Sequence, residues 1–191
     1  ALNAAENRSV TFPSGTYLTS GLSVDFDNTT LIGYRATIKQ SVLAVDDGSP
    51  IMDVTADNLF VDGLIFDGQK SAQPADGFAD AFIANPGVVE LGRYYRSAIG
   101  INGTVNLNTK VTVINCEFKN TYGGGVVAQD ISDMRVDGCQ FTDCNFEGAW
   151  MSSLAGAGDS YGQFTNNKFK NTGSGHASIN GNVILTNDIS F

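Results

Sequence analysis

The chain has 191 residues and a formal net charge of −9, from 20 acidic and 11 basic residues. It is 42% hydrophobic and only 16% charged, and it carries 22 Gly and 17 Asn, residue types that favour turns over helix interiors. This excludes a helical bundle and a disordered chain, and the acidity excludes nucleic acid as the main partner. No apolar run approaches the ~20 residues of a spanning helix, so no membrane insertion is expected. Cys116, Cys139 and Cys144 are odd in number and form no C-x-x-C pair, so neither a disulfide framework nor a metal ligand set is predicted.

In chain order, the first strand pattern is Val10–Leu18, punctuated by Pro13 and Gly15. A short motif then recurs: apolar, any, apolar, any, Asn or Gly, small, any, aromatic. A weak copy holds Leu31, Gly33, Tyr34 and Ala36. Clear copies are Leu59–Phe66, Val111–Phe118 and Met134–Phe141, and Gly162–Phe169 differs only in its first residue. A looser copy runs from Asn182 through Ile184 to Ile189. The copies align two apolar columns. One holds Leu31, Val61, Val113, Val136, Phe164 and Ile184, and the other holds Ala36, Phe66, Phe118, Phe141, Phe169 and Ile189. Their spacing of about 20–30 residues is that of a solenoid with loops of variable length. The step from Val61 to Val113 is about twice as long, so it is one turn with an insertion or two turns with one disguised.

Within each copy the period-two alternation slips by one at the Asn or Gly, as a bend between two short strands requires. A further strand follows in each repeat: Ala98–Asn102, Gly125–Gln129, Gly148–Ser152 and His176–Asn180. Stacked coils pair each strand with its counterpart ~4.8 Å away. The predicted fold is all-β, a right-handed single-stranded parallel β-helix of about seven coils in one domain, 1–191. Asn115, Asn166, Asn167 and Asn187 at the bends suit stacked-amide ladders. Cys116 and Cys139 fall in one inward column as a stacked thiol pair.

Val10-Thr-Phe-Pro13-Ser-Gly15-Thr-Tyr17-Leu18 resembles the opening coil of pectate-lyase-like β-helices, and Asn28–Gly33 and Val61–Gly68 look like the early coils of that family. The family includes polysaccharide lyases, hydrolases and epimerases, and the trimeric tailspikes and depolymerases of bacteriophages. The resemblance implies that residues 1–6 are the remnant of an N-terminal capping helix. It implies a partner among bacterial surface or extracellular polysaccharides, a virion-tail or extracellular location and a homotrimer in the phage case. A secreted lyase or hydrolase and a non-catalytic glycan-binding β-helix are the alternatives. No cofactor is expected, except Ca2+ if the chain is a lyase, and Asp46-Asp47 is its only acidic pair of note. The stretch Tyr122–Gln129 lacks the Asp and His of the epimerase-like members. The chain stops within a coil, so it reads as a fragment of a longer one.

The last strand set carries the candidate site. With Ile99, Ile101, Val126, Ala128, Ala149 and Met151 inward, the outward columns are Gly100, Val127, Trp150 and Ser178, and Asn102, Gln129, Ser152 and Asn180. Trp150, the single Trp, is expected to stack on a sugar ring, with Gln129, Asn102 and Asn180 bonding its hydroxyls. The alternative is that Trp150 packs under the loop 153–160. Glycoside hydrolysis needs two carboxylates, for which Asp130 and Glu147 are the candidates, although they stand at opposite ends of that strand. The long inserted loop, 67–97, holds Arg93, Tyr94, Tyr95 and Arg96, a cluster suited either to clamping an acidic saccharide or to packing within the loop or against a subunit. His176, the single His, reads as a surface turn residue.

Overall fold

A strand that bends within a sheet needs a residue outside the β region, and Asn or Gly reaches the left-handed region at least cost. In the structure, a computed structural model that describes residues 9–43, 48–73, 96–102, 110–129, 131–152, 161–173, 177–180, 182–186 and 189–190, each slip in the repeat is such a residue. Gly63 has φ 71°, Asn115 52°, Gly138 64° and Asn166 57°. Arg35, at φ 56°, takes the same place on the preceding coil.

These bends divide the coils into three faces. The first is built from Ser9–Phe12, the leading halves of Thr30–Gln40 and Leu59–Asp67, then Lys110–Ile114, Asp133–Asp137, Tyr161–Thr165 and Asn182–Thr186. The second holds Gly15–Thr19, the trailing halves of the two long strands, then Glu117–Lys119, Gln140–Thr142, Lys168–Lys170 and Ile189–Ser190. The third is a six-stranded sheet of Leu22–Val24, Met52–Val54, Ile99–Asn102, Val126–Gln129, Ala149–Ser152 and Ala177–Asn180. The pairing between successive coils is parallel on all three faces. The first two faces therefore each show seven rungs among the described residues, as expected from the repeat. Residues 1–6, the expected capping helix, lie outside the described residues.

Val61 pairs directly with Val113, so the long step is one coil with an insertion. The chain leaves through a 3-10 turn, Lys70–Ala72, and rejoins at Arg96, whose N–H donates to Gly48 O at 2.9 Å. Gln73 anchors the departure: its Oε1 accepts from Leu43 N at 2.9 Å and its Nε2 donates to Ser41 O at 3.0 Å.

Both apolar columns hold through the middle coils and shift at the ends. Leu31, Val61, Val113, Val136 and Phe164 stack in register, but Phe164 pairs with Leu185, not Ile184, and Phe169 with Ser190, not Ile189. The last copy lacks an aromatic to fix its phase, and a one-residue slip exchanges inward for outward side chains. At the early end Ile38, not Ala36, pairs with Phe66, because Gly33-Tyr34-Arg35 bulges opposite Gly63 alone.

Inside the coil Phe66, Phe118, Phe141 and Phe169 form one stack, with centroids 5.3, 4.9 and 5.0 Å apart and planes within 9°. The spacing matches the rise between coils, so each ring lies over its counterpart. The stack requires glycine at Gly148, where a Cβ would lie 2.6 Å from Phe169 Cδ1 and 2.7 Å from Phe141 Cγ. Cys116 and Cys139 are buried neighbours on successive coils, free of disulfide. Burial pushes the Cys116 thiol well above its ordinary value, and the Cys139 thiol beside it adds to the rise. Asn167 follows in the same column: its Oδ1 accepts from Cys139 N and its Nδ2 donates to Val136 O, both at 3.0 Å.

The expected amide ladders are corrected to amide–carboxylate pairs. Asn115 Nδ2 donates to Asp62 Oδ1 at 3.0 Å and Asn166 Nδ2 to Asp137 Oδ1 at 2.9 Å, each one coil down. The same exchange recurs at the next corner, from Asn171 to Asp143 at 2.9 Å. Only Asn58, donating to Asn28 at 3.1 Å, makes an amide–amide step among these bonds. Asn187 lies outside the described residues.

Candidate functional site

Parallel register on the third face brings the columns read from the sequence level with one another. Asn102 is level with Gln129, Gly100 with Val127, Val127 with Trp150, Trp150 with Ser178, and Ser152 with Asn180. Gln129 ends its strand half-buried. Asn102 and Asn180 end theirs at the corresponding places. One polar position per coil thus repeats over four coils, at steps of ~4.8 Å.

The second outward column differs from expectation. Val127 and Trp150 alternate with the inward Val126, Ala128, Ala149 and Met151 and stay out of the core cluster, yet Trp150 is only 1% exposed. The indole is a packed residue and not an open stacking platform. Arg96 is corrected in the same sense. It is fully buried, in a left-handed conformation at φ 50°, with its guanidinium carbon 5.4 Å from the Tyr122 ring centroid. A cation held against an aromatic face and cut off from water is not an open clamp.

Burial gathers polar groups at the corner that leads into the third face. Ser97, Gly124 and Glu147 stand at equivalent places on three successive coils, because Ala98 N donates to Gly124 O and Gly125 N to Glu147 O, both at 3.1 Å. Glu147 is 2% exposed and Ser97 and Thr121 are fully buried. Thr121 Oγ1 donates to Gly123 O at 3.0 Å, whereas Ser97 Oγ has no hydrogen-bond partner. Arginine and glutamate are seldom fully buried, and an orphaned buried hydroxyl calls for an explanation. A buried carboxylate, a buried guanidinium and an unbonded buried hydroxyl make this corner a candidate site, at the opposite end of the strands from the polar column.

The register also bears on the carboxylate pair. Ala128 is level with Met151, four residues beyond Glu147, or roughly 13 Å at ~3.3 Å per residue. The two carboxylates of a glycosidase stand ~5–9.5 Å apart. Asp130 follows Gln129 and lies outside the described residues, as do Arg93, Tyr94, Tyr95, His176 and the Asp46-Asp47 pair. Among the described residues no group of three or more His, Cys, Asp or Glu is placed to hold a metal ion, and no helix is long and apolar enough to cross a membrane. Sequence reasoning singled out Glu147 and Arg96 but missed Ser97 and Thr121, whose burial has no signal in composition or spacing.

Comparison with known proteins agrees with the fold. No protein of curated function matches the chain. Among solved structures it is similar to a "putative glycosyl hydrolase" from Parabacteroides merdae ATCC 43184, at 19% identity and a TM-score of 0.65, over 94% of this chain and 81% of that one. Residues 97–190 match the family described as right handed beta helix region, and the chain is a right-handed parallel β-helix.

Proposed function

We propose that this β-helix acts on polysaccharide and that its site lies across the third face, between the polar column at one strand end and the buried polar corner at the other. The observation that carries the reading is the strand register, which sets Asn102 level with Gln129 and Ser152 level with Asn180 and so puts one polar residue at the strand end of each of four coils. A periodic row of hydrogen-bonding residues suits a periodic, hydroxyl-rich polymer lying along the coil axis. The solved structure with a similar fold carries a glycosyl hydrolase description, and hydrolysis is the first reaction to test. Glu147, the carboxylate at this corner, is the acid–base group we propose; at 2% exposed it reaches a glycan only when the corner opens. Asp130, from the opposite end of the strand, is the second carboxylate we propose. Lyase chemistry, with Ca2+ as its cofactor, is the second reading.

The finer assignment is a bacteriophage tailspike or depolymerase, trimeric, on a virion tail, acting on bacterial surface glycans. It rests on the resemblance of Val10–Leu18 to that family's opening coil.

A reducing-end assay on capsular, lipopolysaccharide and plant-type glycans tests the reading. The expected result is cleavage of at least one, lost in Glu147→Gln with the glycan still bound. An unsaturated, ultraviolet-absorbing product makes the reaction elimination and not hydrolysis. Binding without cleavage by the wild type overturns the enzyme reading and leaves a glycan-binding β-helix.

A further inference from the structure

The left-handed bend between the first and second faces creates a concavity, on a different corner from the candidate site. It is a groove of about 410 Å³ crossing four coils, from Tyr34 and Arg35 through Asp62 and Glu117 to Gln140. Its volume falls in the ~300–1,000 Å³ range of ligand pockets. Three inter-coil steps give it a length of ~14 Å.

The floor is low because the bend residues are small or turned away. Gly63 and Gly138 carry no side chain, and the Asn115 amide is bonded to Asp62. One end is raised by the bulge. Gly33-Tyr34-Arg35 opposes a single residue of the next coil, which projects two extra side chains over the groove. Tyr34 is 75% exposed, the most exposed of the large hydrophobic residues described. The Arg35 guanidinium carbon lies 5.3 Å from its ring centroid, so the two act as one plate. Arg35 adopts the left-handed conformation that arginine rarely takes.

We propose that this groove binds a neutral oligosaccharide, one end of which stacks on Tyr34 while its hydroxyls bond to Asp62, Glu117, Gln140 and Arg35. The geometry favours this class for three reasons. An exposed ring with a polar tip suits the apolar face of a sugar. Acceptors at Asp62 and Glu117 are flanked by donors at Arg35 and Gln140, which suits vicinal hydroxyls. Charge is balanced, since Glu117 is paired with Lys119 at 3.1 Å and Arg35 offsets Asp62. An anionic sugar would meet two carboxylates, and a flat apolar partner would cover these charged groups without offering them a hydrogen bond.

The proposal stands apart from the third-face reading and is tested separately. The protein is screened on an array of neutral and acidic oligosaccharides, and the best neutral ligand is titrated calorimetrically into the wild type and variants. Tyr34→Ala is expected to weaken binding about tenfold or more. Arg35→Gly, which suits the left-handed backbone, and Glu117→Gln are expected to weaken it severalfold. Gln129→Ala and Glu147→Gln, which probe the third face, are expected to leave groove affinity unchanged. Circular dichroism of each variant checks the fold, which the exposure of Tyr34 should protect. The proposal is overturned by binding of acidic glycans alone, by no glycan binding, by a neutral glycan whose affinity Tyr34→Ala and Arg35→Gly leave intact, or by a solution dimer that Tyr34→Ala dissociates.

Discussion

Replacing Phe141 by alanine probes the stack at its most connected point. The ring is 1% exposed and lies 4.9 Å from Phe118 and 5.0 Å from Phe169, with interplanar angles of 9° and 8°. A buried phenyl side chain removes ~150–200 Å² from water, which at ~25 cal/mol/Å² is worth ~4–5 kcal/mol. Mutational series for buried Phe→Ala give ~3–5 kcal/mol, including the cavity left behind. The neighbouring coils are tied by parallel hydrogen bonds on three faces, so they have little freedom to collapse into the gap. The variant should lose ~4 kcal/mol, a large share of the ~5–15 kcal/mol that holds such domains folded. Urea denaturation followed by far-ultraviolet circular dichroism reads this as a lower midpoint. A companion cycle isolates the ring contacts. Gly148→Ala alone should cost ~1–3 kcal/mol by overpacking, because the nearest atoms to a new Cβ are all Phe169 and Phe141 ring atoms. In a Phe141→Ala, Phe169→Leu background most of that cost should vanish. A loss below ~1.5 kcal/mol for Phe141→Ala, or a Gly148→Ala cost that is the same in both backgrounds, would refute the stack as the element that ties the middle coils together.

Three further outcomes are expected. Asn167→Ala leaves Cys139 N without its acceptor and removes one of the donors to Val136 O, so urea melts should show a loss of ~1–3 kcal/mol, the cost of one buried unsatisfied group. Hydrogen bonds from Asn166, Arg135 and Thr165 hold the Asp137 carboxyl below its ordinary value of 3.8. Its folded pKa is below its unfolded one, so its contribution is complete above the ordinary value and is lost as pH falls through the lowered one. The stability gap between wild type and Asp137→Asn, measured by thermal melts, should stay level from neutral pH to about pH 5 and close below about pH 4. Burial raises Cys116 well above its ordinary value and Cys144 to about 11, so at pH 8 these thiols should react with an aromatic disulfide reagent only as fast as the protein unfolds.

The fold was legible because each coil writes the same local instruction. The Asn or Gly after a period-two strand marks a left-handed bend, and Val61, Val113 and Val136 stack in the register read from that mark. Legibility failed where the instruction is incomplete. The bulge at Gly33–Arg35 shifts the second column at Ala36, and its signal was the longer spacing from Leu31 to the next inward bulky residue, Ile38. The site was legible in register but not in exposure. Trp150 is outward, as its column required, yet buried. Alternation along one strand specifies which side a residue faces and nothing about what lies over it. The bend groove was missed for the complementary reason. Its residues come from four coils and meet only through the curvature between two faces.

The ladder of left-handed bends separates two properties that most folds link. The coil that departs at Gln73 and rejoins at Arg96 pairs Val61 with Val113 as faithfully as the shorter coils pair Val113 with Val136. Each bend resets the phase of the strand that follows, so the length of an excursion leaves no trace in the stack. Such a scaffold can be elaborated one excursion at a time without being rebuilt. Grafts between Gln73 and Arg96 are the natural place for a lineage, or an engineer, to vary what the surface recognises.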